Sequence, residues 1–119
     1  MKVAIIGSRG FDDYNLVEAT MEEFHSTNFQ TTTLVSGGAK GADRLGEKWA
    51  NNHNIPTKIF LAEWDKYGRA AGFIRNKDII ANADYVIAFW DGESKGTKHS
   101  LDLCEKNGIL YTIIKYKEL

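Results

Sequence analysis

Apolar residues fall in short runs separated by longer stretches in which they recur at helical spacing. Val3-Ala4-Ile5-Ile6, Thr33-Leu34-Val35, Thr57-Lys58-Ile59-Phe60-Leu61, Tyr85-Val86-Ile87-Ala88-Phe89 and Leu110-Tyr111-Thr112-Ile113-Ile114 are β-branched or aromatic runs with turn residues nearby. They predict five strands. Leu16, Val17, Thr20, Met21 and Phe24, after the acidic pair Asp12-Asp13, share one face of a helix, as do Ala42, Leu45, Trp49 and Ala50. A third helix is expected over about 73–83. A fourth should begin near Gly96-Thr97, carry Leu101, Leu103 and Cys104, and stop at an Asn107-Gly108 cap.

Short apolar strands alternating with helices predict a parallel sheet covered on both faces, because right-handed crossovers place the helices there. The fold class is therefore α/β, a three-layer Rossmann-like fold with a five-stranded parallel sheet. A dinucleotide-fold wind gives the order 3-2-1-4-5, with its switch point between the first and fourth strands. Ligands bind beyond the carboxyl ends of strands at such a crevice, so chemistry is sought in the loops after strands 1, 2 and 4.

Composition narrows the classes. The 119 residues suit one domain spanning 1–119, and 43% hydrophobic with 26% charged residues describes a chain that folds. The lone Cys104 excludes an internal disulfide and a CxxC pair, which suits a reducing cytoplasm. Met1 to Gly7 is too short an apolar stretch for a secretion signal, and the longest apolar run, Tyr85 to Trp90, is far below a membrane span. A formal charge of −1 supplies no global field for nucleic acid, so extended nucleic-acid binding is not expected and any phosphate site must be local. Neither metal nor cofactor is called for: His25, His53 and His99 have no ligand spacing, and each fits a solvated helix end or first turn. Cys104, three residues after Leu101, belongs with the core.

Three loops then carry the candidate chemistry. The first strand ends in Gly7-Ser8-Arg9-Gly10, a small-residue turn bearing one guanidinium. The second ends in Ser36-Gly37-Gly38-Ala39-Lys40-Gly41-Ala42-Asp43 and runs straight into a helix, where glycines and unpaired amides suit phosphate. Its spacing matches neither GxGxxG nor GxxxxGK[ST]. The fourth ends in Asp91-Gly92-Glu93-Ser94-Lys95-Gly96-Thr97, again entering a helix. Between Ala62 and Gly72 lies a stretch without periodicity, expected to act as an irregular lid, in which Trp64 and Tyr67 are placed to stack on a base or sugar. Of the polar run Arg75-Asn76-Lys77-Asp78, Arg75 is the phosphate candidate, because guanidinium offers two fixed donors, whereas Lys77 and Asp78 read as solvated. The expected ligand-binding set is Gly7, Ser8, Arg9, Ser36, Gly37, Gly38, Lys40, Gly41, Asp43, Arg75, Asn76, Asp91, Gly92, Gly96 and Thr97. Asp43, Asp91 and Glu93 are the carboxylates available for acid or base work.

These segments together resemble the SLOG superfamily, which joins the DNA-processing protein DprA (Smf) with the LOG cytokinin-activating hydrolases, and within it the small YspA/YpsA-related proteins. Ser36 through Asp43 is similar to the Ser-Gly-x-Ala-x-Gly-x-Asp stretch of DprA, and Arg75-Asn76-Lys77 to its Arg-Asn-Arg helix start. The resemblance covers nearly the whole chain and implies a Rossmann-like domain whose glycine-rich loops bind a nucleotide-like small molecule. Ser100 stands where the LOG motif Pro-Gly-Gly-x-Gly-Thr-x-x-Glu has its glutamate, and Lys77 where DprA has its second arginine. The expected function is binding or sensing of a phosphate-bearing nucleotide derivative, with an N-glycosidase-like hydrolase and a DprA-like single-strand binder as alternatives. Pairing of exposed helices into a homodimer is compatible with such a sheet.

Overall fold

A computed structural model describes residues 1–27 and 30–116. Five strands, β1 (Lys2–Gly7), β2 (Thr33–Ser36), β3 (Thr57–Ile59), β4 (Tyr85–Trp90) and β5 (Leu110–Lys115), form one all-parallel sheet in the order β3-β2-β1-β4-β5. The Rossmann-like α/β arrangement expected from the alternation is the one observed.

The central strand explains the layering. Side chains alternate across a strand, so Val3 and Ile5 face one layer while Ala4 and Ile6 face the other, and all four are buried. On the first side α1 (Tyr14–Thr27) contributes Val17, Met21 and Phe24, and α2 (Ala42–Asn52) contributes Trp49 and Ala50. The second side is covered by α4 (Ala71–Ala81) with Ile79 and Ile80, and by α5 (Lys95–Asn107) with Leu101 and Cys104. Cys104 is a core residue, its thiol pushed up to about 11 by burial. Gly108 closes α5 in the left-handed conformation, as the Asn-Gly cap predicts. No helix among the described residues is long and apolar enough to cross a membrane.

Two segments depart from expectation. β3 ends at Ile59 rather than Leu61: it is an edge strand, exposed at all three positions, and its one neighbour, β2, ends at Ser36, whose carbonyl takes the Phe60 amide at 2.8 Å. Residues 64–72 are not irregular. They form a single helical turn, α3 (Trp64–Tyr67), a 3-10 turn (Gly68–Ala70) and the start of α4, which begins at Ala71 and ends at Ala81 instead of running over 73–83. Neither short turn buries a residue, which is why no apolar period marks it. The histidines also differ in setting. His53 is the half-exposed C-cap of α2 and pairs with Glu18 at 3.0 Å, whereas His25 meets Thr31 at 2.7 Å and tilts against the Trp49 ring.

Candidate functional site

The loops after β1, β2 and β4 meet at the carboxyl edge of the sheet around a cleft of about 490 Å³, well within the size of small-molecule sites. Ser8 holds them together. Its amide donates to the Phe89 carbonyl at 3.0 Å, its hydroxyl accepts from the Asp91 amide at 3.1 Å, and its carbonyl accepts from Ala42 at the start of α2 at 3.4 Å. At 2% exposure Ser8 is a buried bolt as much as a wall of the cleft.

The β2 loop is pinned from within. Ser36 donates its hydroxyl to Glu47 at 2.6 Å, and the same oxygen accepts from the Gly38 amide at 3.2 Å. Asp43 accepts from the Ala39 amide at 3.2 Å, and Arg44 donates to the Gly38 carbonyl at 3.0 Å. Gly37 has no room for a side chain: a Cβ there would lie 2.7 Å from Arg75 and 2.8 Å from the Asp43 carboxyl. Glycine is required at Gly41 too, where φ is +91° and a Cβ would sit 2.4 Å from the Ser8 carbonyl oxygen.

On the β4 side Asp91 folds the loop by accepting from the amides of Glu93 and Ser94, each at 2.8 Å. Ser94 then caps α5, accepting from the Thr97 amide and hydroxyl. The amino terminus of α5 thus opens on the cleft with Gly96 and Thr97 in its wall. From α4, Asn76 donates to the Gly96 carbonyl at 3.3 Å and accepts from Arg75 Nε at 3.1 Å, so it ties the guanidinium to the start of α5.

Two charges stand out. Asp43 is buried, and burial pushes its carboxyl up to about 6, against the pull of the Ala39 amide and Arg75. Arg75 is lowered by its own burial and by the neighbouring Arg9, with Asp43 acting in the opposite sense. Among the described residues neither arginine is in a direct ion pair, and Arg75 feels the Asp43 carboxylate more strongly than it feels Arg9.

Gly7, Ser8, Arg9, Asp43, Arg75, Asn76, Asp91, Gly96 and Thr97 therefore line one cleft. Gly37, Gly38 and Lys40 line an adjoining hollow of about 350 Å³ that shares Arg9, Ala39, Trp64 and Arg75 with it. Ser36 lies beneath the loop against Glu47, Gly41 is packed on Ser8 and Arg9, Gly92 faces Lys115, and Glu93 is exposed outside the cleft. Tyr67 lies outside as well, with Lys66 over its ring. His99, read as a solvated first-turn residue, instead packs at a 59° tilt against Phe73, ring centroids 4.5 Å apart, and meets Asn76 at 3.3 Å. Arg69, Ser94 and Ser100 enter the wall unforeseen. Ser94 had a sequence signal as a capping serine ahead of a helix, Ser100 had one as the residue at the LOG glutamate position, and Arg69 had none. No group of three or more His, Cys, Asp or Glu among the described residues is placed to hold a metal.

The sequence model of the YspA, cpYpsA-related SLOG family matches residues 1–67. The Gene 61 protein of Mycobacterium phage D29 is 35% identical over 115 residues, covering 91% of each chain. No solved structure matches.

Proposed function

Because the chain belongs to the YspA, cpYpsA-related SLOG family, we propose that its cleft binds a phosphate-bearing nucleotide or nucleotide-derived small molecule, as a cytoplasmic binding or sensing protein. The observation that carries this reading is that Arg9 and Arg75 line the same cleft as Gly96 and Thr97 at the amino terminus of α5. Two guanidiniums near each other repel, and an anion between them removes that repulsion while accepting their donors. Helix amino termini favour the same charge. A cleft of about 490 Å³ suits a small molecule of nucleotide size.

Asp43 supports a second reading, hydrolysis of a nucleotide derivative. A cleft-lining carboxyl held near 6 is suited to giving or taking a proton at neutral pH. Thermal shift with a panel of nucleosides and their phosphates tests the binding reading. A phosphate-bearing ligand at 100 times its Kd stabilises by about 2.7 kcal/mol, and equal shifts from adenosine and its phosphates would remove the argument.

A further inference from the structure

Exposed large apolar side chains are concentrated beside the cleft. Among the described residues, five of the seven, Ile59, Leu61, Trp64, Tyr67 and Phe73 with Leu110 and Ile113 the exceptions, fall between positions 59 and 73. Trp64 and Phe73 are each 50% exposed, and both line the cleft that Arg9 and Arg75 line. An apolar ring left half in water costs free energy unless something covers it, and these two lie in a concavity that admits a small molecule.

Gly72 lies under the Trp64 indole, where a Cβ would come within 3.4 Å of Cη2. Phe73, the next residue, is braced on the His99 ring at 4.5 Å, and His99 is itself held by Asn76. Trp64, Arg69, Phe73 and Arg75 thus reach the cleft from one continuous stretch, α3 to α4, and Arg9 joins them from the β1 loop. Such a mixed lining matches a ligand that carries both an anionic group and a flat ring system.

We propose that Trp64 and Phe73 are specificity residues that grip the base of the ligand, placing a purine against α3 and the first turn of α4 while its phosphate meets Arg9 and Arg75. This rests on the nucleotide reading of the cleft. A bicyclic purine covers more of the two rings than a pyrimidine, and both cover more than a bare sugar phosphate. The ranking is purine above pyrimidine above ribose 5-phosphate.

Calorimetric titration with adenosine and guanosine monophosphates, cytidine monophosphate and ribose 5-phosphate tests it on wild type, Trp64→Ala, Trp64→Phe and Phe73→Ala. Base stacking on an aromatic is lost by alanine substitution at a cost of about 5- to 100-fold in affinity. The alanine variants should lose that much for the purine nucleotides and leave ribose 5-phosphate within about twofold. Trp64→Phe should keep most of the purine affinity. Purine nucleotides and ribose 5-phosphate binding equally well, or alanine variants weakening both alike, would overturn the clamp while leaving the phosphate site standing. Binding of none of the four ligands would overturn the nucleotide reading and the clamp with it.

Discussion

Arg75 Nη1 donates to the carbonyl oxygen of Gly37 at 2.8 Å, joining α4 to the β2 loop across 38 positions of sequence. The guanidinium is at once a wall of the cleft and a strut of the loop, so its loss should register twice. Arg75→Ala is expected to lower stability by about 1–2 kcal/mol, toward the low end for a charged donor because the side chain is only partly buried, and also to weaken phosphate-bearing ligands. Urea unfolding and ligand titration on the same samples separate the two. An unchanged urea midpoint would show that the bond to Gly37 carries no stability.

Gly41 should be among the least replaceable residues. Its φ of +91° disfavours a side chain, and a Cβ would press on the Ser8 and Arg9 carbonyl oxygens at 2.4 and 2.6 Å, backbone atoms that cannot swing aside. Gly41→Ala is expected to cost about 2–4 kcal/mol, strain and overpacking together. At Gly10 nothing lies within 4 Å of a Cβ, so Gly10→Ala should stay within about 0.5 kcal/mol. Comparable melting temperatures for the two variants would refute the close approach of the β1 and β2 loops.

The sheet was legible because β1, β2 and β4 are buried on both faces and read as continuous apolar runs. The convergence of three loops followed from the strand order alone. What escaped was set by tertiary contact. Arg69 reaches the cleft from a 3-10 turn that buries nothing, and no local pattern marks such a residue. The partnership of Ser36 with Glu47 spans eleven positions and depends on the angle at which α2 leaves the loop. His99 looked solvated because its neighbours in sequence are polar, while the ring that covers it belongs to another helix.

Asp43 gives the protein a pH signature. Its carboxyl sits at about 6 in the fold against an ordinary 3.8, so the folded state holds the proton more tightly than the unfolded one. The stability it contributes is complete below its ordinary value and is lost as pH rises through about 6. Asp43→Asn cannot titrate. In melting curves taken from pH 4 to 7 the Asn variant should therefore gain steadily on wild type, with most of the gain before pH 6.5. Curves that run parallel over that range would mean that Asp43 titrates like an exposed carboxylate.

The carboxylates differ enough to predict which of them any hydrolysis would use. Cleaving an N-glycosidic bond builds positive charge on the sugar and needs an acid or base within about 3 Å of the proton it moves. Ser100 lines the cleft at the place where the LOG motif has glutamate, and a hydroxyl does not balance that charge. Asp91 is committed to the amides of Glu93 and Ser94 and organises its own loop. Glu93 is exposed and outside the cleft. Asp43 alone combines a place in the wall with a carboxyl held near 6. Incubation with adenosine and guanosine monophosphates should release little or no free base by chromatography. Any release that does occur should vanish in Asp43→Asn and persist in Glu93→Gln. Release abolished by Glu93→Gln and untouched by Asp43→Asn would mean that the β4 loop closes over the ligand in a form different from this one.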